Sequence, residues 1–223
     1  MDRISLLRRA LRINQFLVAY NVAEAVVSVG AGILAGSIAL VGFGLDSVIE
    51  TAAAAILIWR LRSELRGGPD VETCRPERRA LLFVGVTFLG LAAYVTIESV
   101  LHLVHRDAPS RSIVGLAVAG LSLLLMPTLG FWKLRLARAL DSRALRADGI
   151  ETLVCGYLSL ALLLGLGLSA GLGWWWADAA AALAMVPLML KEGVEGIAHS
   201  RRHSVDCRSV VMPAPVIDER DRP

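Results

Sequence analysis

Lysine is almost missing from this chain: Lys133 and Lys191 are the only two, so nearly all of its 23 basic residues are arginine. The arginines sit at the ends of apolar runs and form no continuous stripe, which excludes a nucleic-acid-binding surface and assigns them to membrane topology. Cysteine is scarce too, with Cys74 and Cys207 in charged segments and Cys155 inside an apolar one, so no disulfide framework is built here. Short apolar runs alternating with polar faces, the mark of a soluble core, are absent as well. What the chain has instead is 56% hydrophobic residues among 223 and a mean hydropathy of +0.61. They lie in blocks of about 20 residues or more, enough to cross a hydrocarbon layer of about 30 Å. The composition therefore defines an all-α, multi-pass membrane protein.

Six spans are expected: Ile13 to Leu34, Ile38 to Trp59, Ala80 to Val104, Ile113 to Trp132, Ala147 to Leu168 and Trp174 to Leu190. The opening MDRISLLRRALR carries the charge of a signal peptide's leading region, but the run after it is too long for a cleaved signal and reads as a first span. The chain divides into a cytoplasmic segment 1–12, a six-helix transmembrane domain 13–198 and a short flexible tail 199–223. Only Ala35-Gly36-Ser37 separates the first two spans, which makes them a tight hairpin, and SAGLG joins the last two. Arginine and lysine concentrate in the N-terminal segment, the second and fourth connections and the tail, so the positive-inside rule sets both termini in the cytoplasm. Trp174, Trp175 and Trp176 then lie at the outer interface, where indole rings prefer to sit. Arginine and alanine usage suits a GC-rich bacterial genome, hence an inner membrane.

Against this apolar background, Asp46 with Glu50 and Glu151 with Cys155 form two pairs of possible metal ligands, each spaced four residues apart inside a span. A lone carboxylate near mid-bilayer costs about 2.5–3.5 kcal/mol on insertion scales, so such groups mark function or a partner. Residues i and i+4 share a helix face, and two antiparallel helices offer four donors at similar depth. Four donors of oxygen and thiolate suit tetrahedral zinc. The alternative is two unrelated acidic pairs neutralised by protons or by arginines at the span ends. A short self-similarity supports equivalent roles: Ser37-Ile38-Ala39-Leu40 precedes Asp46, Ser142-Arg143-Ala144-Leu145 precedes Asp148, and Ile49-Glu50-Thr51 is echoed by Ile150-Glu151-Thr152.

Other polar residues carry two readings each. Glu98 and His102 are spaced i, i+4 near the outer end of the third span, with His105 beyond them, and are either an exit ligand or a mutually satisfied pair. Asn21 and Glu24 either line a cation path or hydrogen-bond neighbouring helices. Asp178 opens the last span, where a helix N-terminus tolerates an acid. His199, His203 and Cys207 have helical metal-site spacing but lie among Arg201, Arg202 and Arg208, which favours a solvated tail. Pro127 and Pro187 predict kinks. Gly30-x-Gly32 and Gly165-x-Gly167 offer small faces for close packing.

Asn21 and Glu24, Gly36-Ser37-Ile38-Ala39-Leu40 leading into Leu45-Asp46-Ser47-Val48-Ile49-Glu50, Arg146-Ala147-Asp148 followed by Glu151 and Cys155, and Trp176-Ala177-Asp178 together resemble the membrane domain of the cation diffusion facilitator family, from Asn14 to Gly196. The resemblance implies a six-helix bundle that binds a divalent cation between the second and fifth helices. By position, the metal ligands are Asp46, Glu50, Glu151 and Cys155; a slipped register would make Asp148 a ligand in place of Cys155. The family's usual histidine is missing, and a thiolate pulls toward zinc, cadmium or other soft ions. The family's usual cytoplasmic ferredoxin-like domain is also not seen after the sixth span.

The implied function is a secondary transporter that exports a divalent transition metal, zinc favoured, from the cytosol by proton antiport. The implied partners are the lipid bilayer, the cation, protons and a second copy in a homodimer. No prosthetic group is called for, since the metal is cargo, and no covalent chemistry is expected, so the protein is not an enzyme. The competing reading is a metal-sensing or accessory membrane subunit that keeps the fold without transporting. An intramembrane metallohydrolase with Glu151 as base lacks the histidines such sites use.

Overall fold

The structure, a computed structural model, describes residues 3–65, 74–106 and 109–211, apart from the side chains of Glu64, residues 74–81, Arg143, His199 and residues 201–211. Six helices follow one another: α1 (Arg3–Ala35), α2 (Ile38–Leu65), α3 (Cys74–His105), α4 (Ile113–Leu140), α5 (Arg143–Leu172) and α6 (Ala177–Val211). No strand occurs among the described residues. Helices are the form that satisfies every backbone N–H and C=O within one apolar segment.

The bundle is apolar on the outside and polar in places within. Leu34, Ile113 and Leu124 are among many large apolar side chains facing outward, while Asn14, Asn21, Glu24, Asp46, Glu50, Lys133, Asp148 and Asp178 are buried. A protein surrounded by lipid can afford this distribution; one surrounded by water cannot. Many of the hydroxyls within the helices need no outside partner: Thr51, Thr87, Thr96, Thr128 and Ser159 each donate to the carbonyl four residues back.

Five helices have a stretch long and apolar enough to cross a membrane. The sixth, α6, has none among the described residues, because Asp178, Lys191 and Glu192 interrupt its apolar stretch. All six run past the expected spans at the arginine-rich end, while α6 starts at Ala177, three residues after the expected Trp174. α1 begins at Arg3, so most of the segment 1–12 is helix, and α6 continues to Val211, past the boundary expected at His199. Residues 212–223, and the side chains of His199, His203, Cys74 and Cys207, lie outside those described. The charged fourth connection is helical except for Asp141 and Ser142. There Asp141 adopts a left-handed conformation (φ 50°) that ends α4, and Ser142 caps α5.

Each helix has one main neighbour: α1 packs on α2, α3 on α6, and α4 on α5, while α2 also touches α3, α5 and α6. Glycine permits these approaches. A Cβ on Gly32 would meet Val41 Cγ2 at 2.7 Å, one on Gly44 would meet Val29 Cγ2 at 2.8 Å, and one on Gly165 would collide with Ala181. Gly30 and Gly167, their expected companions, have nothing within 4 Å of such a Cβ. Pro127 lies in α4 against Gly156, and Pro187 in α6.

Two apolar cores result. The larger runs through the spans and includes Phe43, Phe88, Leu158 and Met185. The smaller joins the extensions of α1, α2, α4 and α5 through Leu7, Leu57, Leu61, Leu140 and Leu145. It sits at the arginine-rich end, opposite the end that carries Trp174 and Trp176, whose rings stack at 5.2 Å.

Candidate metal centre

The donor helices start in the same way. Ser37 Oγ accepts from Leu40 N at 3.1 Å at the head of α2, and Ser142 Oγ accepts from Leu145 N at 3.3 Å at the head of α5. The sequence echo around these serines is thus a pair of N-caps. Counted from each cap, Asp46 and Glu151 hold one position, and Glu50 and Cys155 another, four residues further on. Since α2 and α5 cap at opposite ends of the bundle, the two pairs run toward each other at mid-depth.

They meet at a small cavity of about 10 Å³, room for about one water or ion. Asp46 and Glu50 of α2 and Glu151 and Cys155 of α5 all line it, with Phe88, Leu188 and Met189 forming apolar wall. Glu50 is 4% exposed, and its Oε2 accepts no hydrogen bond. A buried carboxylate oxygen without a donor is costly and marks a place for a proton or a cation. The Cys155 thiol is buried and adjoins the Glu50 carboxylate. The donors line the cavity without closing on one point: among the described residues, no three Asp, Glu, Cys or His side chains are grouped tightly enough to hold an ion. Coordination at bond lengths of about 2.0–2.3 Å requires their side chains to rotate inward.

Asp148 is placed elsewhere. Its Oδ2 lies 2.6 Å from Lys133 Nζ, and Lys133 also donates to Thr152 Oγ1 at 3.0 Å. Lys133, grouped with the basic connection by sequence, is 1% exposed within α4. A buried ammonium already neutralises Asp148, and Asp148 does not line the cavity.

Glu24 belongs to a separate network. It accepts from Ser47 Oγ at 2.8 Å and from Ser122 Oγ, which is paired in turn with Tyr20, so it ties α1 to α2 and α4. The helix-bridging reading of Glu24 describes this geometry. Asn21 is fully buried, and its amide finds no partner. Glu98 and His102 are half-buried, line no part of the cavity and make no ion pair with each other among the described residues, contrary to the mutual pair read from spacing.

Asp178, in the first turn of α6, reaches across to another helix. Its carboxylate accepts from Ser37 Oγ at 2.6 Å and from Ile38 N at 2.9 Å, so it binds the head of α2 to the head of α6. Sequence reasoning also missed Glu192 of α6, which lines the cavity beside the four expected ligands.

A helical membrane bundle that buries carboxylates and a thiol around a cavity of ionic size has the makings of a cation-handling domain. The cation efflux transmembrane domain matches residues 15–202, and the chain belongs to that family, one of transporters and not enzymes. It is similar to Transmembrane protein 163 of Xenopus laevis, 27% identical over 156 residues that cover 70% of this chain and 54% of that protein. The chain thus spans about half the length of the relative it matches.

Proposed function

We propose that this chain carries a divalent transition-metal ion across the membrane, with zinc the favoured cargo, and exchanges it for protons. The supporting observation is the cavity at which Asp46, Glu50, Glu151 and Cys155 meet inside an otherwise apolar bundle. Carboxylate oxygen and thiolate are acceptable zinc donors, and sulfur favours zinc or cadmium over manganese. Coordination needs the donors deprotonated, so metal and protons compete for one set of groups. The positive-inside rule puts the arginine-rich end in the cytosol, and a proton gradient directed inward drives the metal out.

The test is flux into liposomes that hold a zinc-sensitive dye, under an imposed pH gradient. Wild type is expected to move zinc, and Asp46→Ala and Cys155→Ala to abolish or sharply reduce it. Flux that survives both substitutions would remove the cavity from the transport path. No flux for zinc, cadmium, cobalt, iron or manganese would leave a sensor or accessory subunit as the reading.

A further inference from the structure

The family resemblance assigns cation ligands to two helices, yet the cavity has a charged wall from a third. Glu192 of α6 lines it together with Asp46, Glu50, Glu151 and Cys155. Helix geometry puts Glu192 at the right depth. The heads of α2 and α6 are joined through Asp178, so both helices can be measured downward from that point. At about 1.5 Å per residue, Asp46 and Glu50 lie about 12 and 18 Å below Ile38, and Glu192 lies about 21 Å below Asp178. The contact of Gly165 with Ala181 carries the same measure to α5. There Cys155 and Glu151 fall at about 20 and 26 Å. Glu192 therefore stands level with the donor pairs, just past Glu50 and between Cys155 and Glu151. It is half-buried, unlike its exposed neighbours Lys191 and Glu195, which pair with each other at 3.8 Å. The buried Glu50 Oε2, which accepts no hydrogen bond, is an independent sign that this cavity takes a positively charged ligand.

We propose that Glu192 is a fifth donor to the cation, supplied by α6, and that it extends the site to ions preferring more than four ligands. The inference rests on the function proposed above. Zinc is satisfied by four donors, which Asp46, Glu50, Glu151 and Cys155 provide without Glu192. Manganese favours oxygen ligands and a fuller shell, so it depends on Glu192 far more.

Purified full-length protein is titrated with Zn2+ and Mn2+ by competition against a metal dye, and Co2+ binding is followed by visible absorbance, which is weak for five or six ligands and strong for four. Glu192→Gln is expected to weaken Mn2+ binding by at least about tenfold, the lower end of what loss of a supporting group costs at a metal site, while Zn2+ binding changes several-fold less. The Co2+ bands are expected to intensify in that variant and to return toward wild type in Glu192→Asp. Glu195→Gln is the control and should bind as wild type. Unchanged Mn2+ affinity and an unchanged Co2+ spectrum in Glu192→Gln would overturn the fifth donor, as would equal weakening of both metals with no spectral change. Asp46→Asn separates the two ideas. If it abolishes binding, the site stands whatever Glu192 does; if it binds as wild type, the site itself is wrong. Thermal unfolding of each variant confirms that the comparison is between folded proteins.

Discussion

A single lysine sets the charge balance beside the helix that carries Glu151 and Cys155. Lys133 and Asp148 are both buried and lie 2.6 Å apart, with Thr152 accepting from the same ammonium. Removing one partner of such a pair strands the other charge, at a cost of about 3–5 kcal/mol, whereas removing both is far milder. Lys133→Met is therefore expected to destabilise the protein by that amount in detergent unfolding, and Lys133→Met with Asp148→Asn to recover most of it. A loss below about 1 kcal/mol in the single variant would show the pair to be solvated after all. The sequence offered one clue to this lysine: every other basic residue between it and Arg146 is arginine. Hydropathy masks that clue, because a cation at the end of an apolar block looks like an interfacial anchor whether or not its helix continues. That Asp46, Glu50 and Glu151 stood out was owed to charge inside a span having so few explanations, and Cys155 to its four-residue spacing from Glu151; the structure brings the four to one cavity.

At the scale of the element, the helix starts were readable and the helix faces were not. Ser37 and Ser142 announce α2 and α5 by their chemistry, and the spacing from each cap to its donors was visible as an echo. Which glycines face a neighbour was not visible. In a soluble helix the polar side marks the outside, but lipid and bundle interior are both apolar, so the pattern that would orient Gly30 against Gly32, or Gly165 against Gly167, is erased. The structure separates them. Gly165→Ala is expected to destabilise the bundle by about 1–3 kcal/mol through overpacking on Ala181, while Gly167→Ala should be neutral or slightly stabilising. Thermal unfolding of the two variants side by side distinguishes them, and equal effects would mean that α5 and α6 do not pack at Gly165. Glu192 escaped notice for a related reason. It follows the last apolar block, and only the unbroken course of α6 to Val211 carries it alongside the cavity.

Across the whole molecule, the proposed function has protons and metal draw on one set of groups. Four carboxylates and a thiol share the cavity wall, more negative charge than one divalent ion would offset, so under that proposal part of the set would hold protons whenever the rest held metal. Lower pH fills more of these groups with protons and leaves fewer donors. Zinc affinity, measured by dye competition across pH 5.5 to 8, is expected to fall steadily toward the acid end, and a flat profile would argue against shared groups. The six-helix order was legible from the apolar blocks. The main pairings of α1 with α2, α3 with α6 and α4 with α5 were less so, since α3 and α6 are distant in sequence and glycines such as Gly85 and Gly193 let them approach closely.

The Asp178 carboxylate, bonded to Ser37 and Ile38, pins two helices at a common pivot. Those helices carry Asp46, Glu50 and Glu192, whereas Glu151 and Cys155 ride on α5. Under the proposed function, a swing that parts α5 from this pinned pair would split the ion's holders three against two, and the cargo would stay with the larger party until protons release it.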